Sequence, residues 1–333
     1  MQMEQFLAPS QKMLYCLKKR VRKSVMRILP PKKFHKFNII YINIFQYSII
    51  TKQGRLKKRL SKFIGNEETY MAQYHVDFLK KIAPLVKDKT VLEIGGSNFP
   101  RKALFDILKV KKWVCVDYWD DRFPTNPSKT NDFIILSLDE AESNLDACDY
   151  LKFRGDATYI PECFYEKFDI VVSLNAFEHV TRVPEVVEKI YYCLRRSGIF
   201  YTFFAPIWSA AHGHHYWGGE NFSFLTIEQD GLPPFIHLLK NEKEMREYFA
   251  DKSLPFGQAQ VDCLCEWSYH SNLINRLFFE DYEDIMANSQ FQKYEIIPHD
   301  GIKPTDEILE ELIQKYPGYK RFGVGGAEIL AKK

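Results

Sequence analysis

The chain has 333 residues, 46% hydrophobic and 27% charged, with a net charge of only +3. These are the proportions of a soluble globular protein, large enough for one well-filled core with extensions or two small domains. Its seven scattered cysteines, with only Cys263 and Cys265 close together, lack the second pair a zinc site needs; they read as reduced thiols of a cytoplasmic protein.

The small net charge hides an asymmetry. Residues 1–62 carry 16 Lys and Arg against the single acid Glu4, while the rest carries 30 basic and 42 acidic residues. An acidic body with a basic arm suggests a polyanionic partner for the arm, either an anionic membrane surface or nucleic acid. Leu14, Leu17, Val21, Val25 and Ile28 recur at steps of three and four, the stripe of an amphipathic helix that Pro30 and Pro31 end. Lys18, Lys19, Arg20, Arg22, Lys23 and Arg27 occupy its other faces. Such a helix, within residues 11–36, can lie in a lipid interface or pack on the body with a solvated basic face. The apolar run Asn38–Ile50 is too short to span a bilayer, which needs about 20 helical residues. The order of a signal peptide is not seen.

A regular pattern begins near residue 67, which divides the chain into an arm, 1–66, and a body, 67–333. Residues 69–83 read as a helix ended by Pro84. Strands follow at Thr90–Ile94, Trp113–Val116, Leu151–Arg154, Asp169–Leu174 and Ile199–Phe204. Helices are expected near Arg101–Lys109 and over Val186–Arg196, the latter stopped by Gly198. Strands that alternate with helices, and read as buried on both faces, indicate a doubly wound, mostly parallel α/β sheet. Beyond a long connection, 206–240, come a helix at Asn241–Phe249, an irregular or helical stretch to about 289, and a strand at Tyr294–Ile297. A helix at Thr305–Lys315 and a last strand at Glu328–Ala331 close the pattern, with Gly323, Gly325 and Gly326 as a turn before that strand.

Ligands of such sheets bind outside the carboxyl ends of the strands, where strand order reverses. The run Val91-Leu-Glu93-Ile-Gly95-Gly96-Ser97-Asn98 is a strand entering a glycine turn, which lets the backbone approach a ligand and offer amide donors. Gly-x-Gly-x-x-Gly is absent, and Glu93 before the glycines would repel a pyrophosphate; it suits a positively charged amino-acid or sulfonium ligand. Asp117 at the next strand end can accept from both hydroxyls of a ribose. Gly155-Asp156-Ala157 lies at the third strand end, where an acid can meet an adenine amino group.

These motifs resemble the class I S-adenosylmethionine-dependent methyltransferases. Glu93-Ile-Gly95-Gly96 is similar to their first glycine motif, Asp117 to their ribose acid and Gly155-Asp156-Ala157 to their adenine-side motif. Phe168–Val180, with Asn175 and the ending Glu178-His179-Val180, resembles the fourth-strand segment of the subgroup acting on small molecules. Ser197 stands where a second glycine is usual before strand five, and Asn98 replaces the third glycine of the first motif. The resemblance covers residues 70–205. It implies a Rossmann-like sheet with an antiparallel C-terminal strand. It implies S-adenosylmethionine as cofactor, held by Glu93, Gly95, Gly96, Ser97, Asp117, Asp156, Ala157 and Asn175.

Transfer of a methyl group to a hydroxyl needs alignment and a base. His179 is one candidate, lying just beyond the fourth strand, and a helix cap or packing role is its alternative. The others are His214 and His215 in the loop Ala210–Gly219, where Tyr216 and Trp217 can stack on an acceptor; three imidazoles there, His212 included, do not define a metal geometry. Pro233–Leu239 is the expected far wall of the acceptor pocket. Histidines and aromatics fit a sugar hydroxyl, and a basic arm would keep the enzyme at the inner membrane face, where lipid-linked glycans are built. A small-molecule or cell-surface glycan acceptor is therefore expected. Methylation of RNA or another small molecule, and a non-catalytic module keeping the fold, are the alternatives; Asn175-Ala-Phe-Glu178 lacks the Pro-Pro-aromatic segment of enzymes that methylate base amino groups.

Overall fold

The computed structural model describes residues 53–65, 71–96, 99–118, 134–216, 225–226, 231–251 and 257–333. The amphipathic helix expected within residues 11–36, the run 38–50, Ser97 and Trp217 lie outside the described residues.

Two compact units partition the chain. One comprises Met1–Asp88, Asn98–Val110 and Ser128–Thr130; the other comprises Lys89–Ser97, Lys111–Pro127 and Asn131–Lys333. In the first, helix α1 (53–60) precedes α2 (Gln73–Val86), and a π-helical segment spans Lys102–Ile107. His75 Nδ1 accepts the amide of Ala72 at 3.0 Å and covers an orphan donor at the start of α2. Pro84 does not end α2. It removes one hydrogen bond near the C-terminus, and burial of Ile82 and Val86 carries the last turn past it.

The second unit is built on a sheet of eight strands. They are β1 (Thr90–Ile94), β2 (Lys112–Asp117), β3 (Ile134–Ser137), β4 (Tyr150–Arg154), β5 (Phe168–Leu174), β6 (Leu194–Phe204), β7 (Lys293–Asp300) and β8 (Val324–Lys332). Their order is β3-β4-β2-β1-β5-β6-β8-β7. All pairs from β3 to β6 are parallel; β8 runs antiparallel to both β6 and β7. This is a mostly parallel, Rossmann-like sheet, and its strand order reverses between β1 and β5.

Alternation sorts the strands' side chains. Leu92, Val114, Leu151, Val171 and Phe200 face one core, covered by α3 (Val183–Cys193) and, further on, α6 (Phe279–Ala287). Helix α3 buries Val183, Val186, Val187 and Ile190 as one stripe, and Pro184 sits in its first turn, where its missing N–H costs nothing. The helix therefore starts before Val186 and stops at Cys193; Arg195 and Arg196 belong to β6. Between α3 and α6 lie α4 (Glu242–Asp251) and α5 (Gln258–Cys265), and α7 (Asp306–Lys315) joins β7 to β8.

Two further features differ from expectation. Strand β3 is unassigned by the sequence pattern because only four residues pair, at the sheet edge. Gly325 and Gly326 lie inside β8 rather than in a turn, where a Cβ on Gly326 would come within 2.5 Å of the Phe204 carbonyl oxygen. Among the described residues no helix is long and apolar enough to cross a membrane.

Phe200 is fully buried, with ring centroids 5.4 Å from Phe177 and 6.1 Å from Phe291. Phe200→Ala is expected to cost about 3–5 kcal/mol, as truncation of a core aromatic does, read from the midpoint of urea unfolding.

Candidate active site

The carboxyl ends of β1 and β5 meet at a tight turn. Gly95 has φ +92° and its amide donates to the Val116 carbonyl at 2.9 Å. A Cβ placed on it would stand 2.5 Å from the Cβ of Ala176, so conformation and space both require glycine. Beside it Asn175, with φ +46°, donates its amide to the Phe203 carbonyl at 2.8 Å. Its side-chain Oδ1 is buried and has no partner among the described residues, which marks a polar atom awaiting a ligand.

The strand-end acids are differently placed. Glu93 is 1% exposed and accepts from Trp113 Nε1 at 2.8 Å. It lies in a row with its strand neighbours Cys115 and Lys152 on the sheet face opposite α3, so Lys152 offsets its charge. The Cys115 thiol donates to the Gly95 carbonyl at 3.3 Å and holds the turn from below. Asp117 closes β2, and its carbonyl accepts from the Gly155 amide at 3.0 Å. Asp156 caps the turn starting at Ala157: its Oδ1 accepts from the amide and the hydroxyl of Thr158, each at 2.8 Å. Arg182 stands 3.8 Å from the other oxygen.

At the ends of β5 and β6 the structure brings together His179 and His215, with ring centroids 5.2 Å apart and planes at 76°. His179 Nδ1 lies 2.6 Å from the Leu273 carbonyl and so carries the proton, leaving Nε2 as a lone pair. His215 Nε2 likewise faces the Pro206 carbonyl at 2.9 Å. Burial lowers the pKa of both, that of His215 to about 3, so both rings are neutral. His214 is turned away from this pair. Its Nδ1 accepts the Tyr216 amide at 3.1 Å and its ring stacks on Tyr216, which makes its Nε2 a donor.

Glu178 is a site residue that the sequence reading passed over. It is 3% exposed, accepts the backbone amide of Ala205 at the end of β6, and leaves Oε2 without a partner among the described residues. Burial pushes its carboxyl up to about 8. The signal was its place directly before His179, just beyond the end of β5. Among the described residues no group of three or more His, Cys, Asp or Glu is arranged to hold a metal ion.

Comparison with known proteins fits this geometry. Residues 131–202, which include β3 through most of β6, match the family model of a methyltransferase domain. Solved structures that the chain resembles include an S-adenosylmethionine-dependent methyltransferase from Mesorhizobium loti. It is 14% identical, with 78% of this chain and 97% of that one covered at a TM-score of 0.41. Another is phosphoethanolamine N-methyltransferase 2 of Haemonchus contortus, solved with S-adenosyl-L-methionine. It is 13% identical, with 83% and 56% covered at a TM-score of 0.40. No curated protein matches the chain. The fold is that of a Rossmann-like α/β domain. Within it, residues 131–202 are similar to a methyltransferase domain.

Gly95→Ala is expected to cost about 1–3 kcal/mol through a strained backbone, and to weaken binding of S-adenosylhomocysteine at least tenfold, read by calorimetry. Glu178 gives a pH signature. The native state keeps its proton up to about pH 8, whereas the unfolded chain loses it near 4.5. Stability therefore falls as pH rises through that window. In thermal melts Glu178→Gln should lack this fall, so that its advantage over the wild type grows between about pH 5 and 8.5.

Proposed function

We propose that the chain is a class I S-adenosylmethionine-dependent methyltransferase that acts on a hydroxyl of a sugar in a cell-surface glycan. The observation that carries this reading is the neutral His179–His215 pair at the carboxyl ends of β5 and β6. S-adenosylmethionine, when bound, supplies an electrophilic methyl group on a sulfonium. The turn at Gly95, the carboxylate of Asp117 and the open Oδ1 of Asn175 are suited to hold its amino-acid and ribose parts, and the Asp156–Ala157 turn its adenine. His179 has its Nδ1 proton engaged by Leu273, and its Nε2 is oriented to take the acceptor's hydroxyl proton as the new carbon–oxygen bond forms. His215 packs edge-on and fixes the ring. The arm, with residues 11–36 as an amphipathic helix, would hold the enzyme at an anionic membrane surface on the cytoplasmic side.

Purified enzyme with methyl-labelled cofactor should label saccharide or glycan fractions; label confined to RNA would overturn the reading. His179→Asn keeps a donor for Leu273 and removes the base. It should lower kcat by about 10²–10⁴-fold and leave the affinity for S-adenosylhomocysteine unchanged. The acid limb of the wild-type kcat profile should fall below the ordinary histidine range, because burial lowers the His179 pKa.

A further inference from the structure

A second pair of imidazoles lies beside His179 and His215. His214 and His237 are each 2% exposed, with ring centroids 5.7 Å apart and planes at 78°. Because His214 Nδ1 accepts the Tyr216 amide, its proton is on Nε2, and that N–H has no partner among the described residues. His237 Nε2 faces the Trp208 carbonyl at 2.8 Å and carries the proton, so Nδ1 is a lone pair, again without a partner there. The Ser209 hydroxyl, 1% exposed and one residue beyond Trp208, is unpartnered too. The rings of Tyr216 and Trp208 lie against this pair, each 4.7 Å away between centroids. Open donors and acceptors enclosed by aromatic rings are costly unless a further group meets them.

The sequence of this stretch narrows what that group is. No Lys or Arg occurs from Ser197 to Leu239, while Glu220, Glu228 and Asp230 fall inside that stretch. The guanidinium of Arg276, 5.9 Å from the Trp208 ring, donates to the carbonyls of Ser268, Ser271 and Ile274 and is held there. Burial keeps His214 and His237 neutral. A phosphate or carboxylate offers only acceptors and calls for a cation. A hydroxyl can accept from His214 Nε2 and donate to His237 Nδ1 at once.

We propose that His214, His237 and Ser209 form a subsite for an uncharged hydroxylated group of the acceptor. This subsite takes neutral sugars, and phosphorylated or nucleotide-linked sugars do not fit it. The inference rests on the proposed hydroxyl acceptor and specifies its charge.

The test uses the full chain, tritium-labelled cofactor, a panel of neutral methyl hexosides, their 6-phosphates and the corresponding UDP-hexoses. Label is expected in neutral glycosides, with kcat/KM at least about tenfold above the phosphate esters, the value of one well-placed hydrogen-bonded group. His214→Asn keeps an acceptor for the Tyr216 amide, and His237→Gln keeps a donor for the Trp208 carbonyl. Each should raise the acceptor KM about tenfold while kcat falls by less than about twofold and the melting temperature holds. Equal or faster labelling of the phosphate esters or UDP-hexoses, or an unchanged KM in both variants, overturns the subsite and leaves hydroxyl methylation standing. Label in no saccharide of either kind would remove the proposed function itself, and the subsite with it.

Discussion

The approach of β1 to β5 at their carboxyl ends is the constraint on which the site depends. With Ala176 where a Cβ of Gly95 would be, the two strand ends close to a distance only glycine allows. That contact forces the chain after β1 into a left-handed turn and leaves Asn175 in a positive-φ conformation beside it. The open Oδ1 of Asn175 and the carboxyl end of β2 then flank β1, where strand order reverses. A looser junction would leave the acids of β2 and β4 as ordinary turn residues, with nothing at the centre to bring a ligand within their reach.

Beneath the turn lies a buried polar row that a strand of apolar residues would not need. Glu93, Cys115 and Lys152 are direct neighbours across three parallel strands, and Trp113 donates to the glutamate. A lone carboxylate there would be strongly disfavoured; one with an ammonium and an indole N–H beside it is tolerable. The thiol between them reaches the Gly95 carbonyl, so the row also braces the turn.

The parallel core was legible in the sequence because its strands are short, mostly apolar runs that each stop at an acid, an asparagine or a glycine. Thr90–Ile94 is found to the residue, and β2, β4 and β5 extend the expected runs by only one or two residues. The helix before β6 was misjudged because Arg195 and Arg196 look helical, whereas pairing with β5 starts at Leu194, opposite Phe168. Strand β3 escaped because an edge strand of four residues has no periodicity to display. In the site, residue types at strand ends could be read, but tautomers could not. Which ring nitrogen of His179, His214 or His215 bears the proton depends on Leu273, Tyr216 and Pro206, contacts that only the folded chain sets and of which the first spans 94 residues.

Those tautomers divide the histidines into different tools. All are kept neutral by burial, so none supplies a fixed positive charge. What each offers is set by one backbone contact: a lone pair on His179 Nε2, a donor on His214 Nε2, a lone pair on His237 Nδ1. Methyl transfer from a sulfonium suits such a site. The donor already carries the activation, and a neutral acceptor needs orientation and a place for one proton rather than an electrostatic clamp. Cationic side chains near the acceptor would oppose an incoming sulfonium, and the stretch from Ser197 to Leu239 carries none.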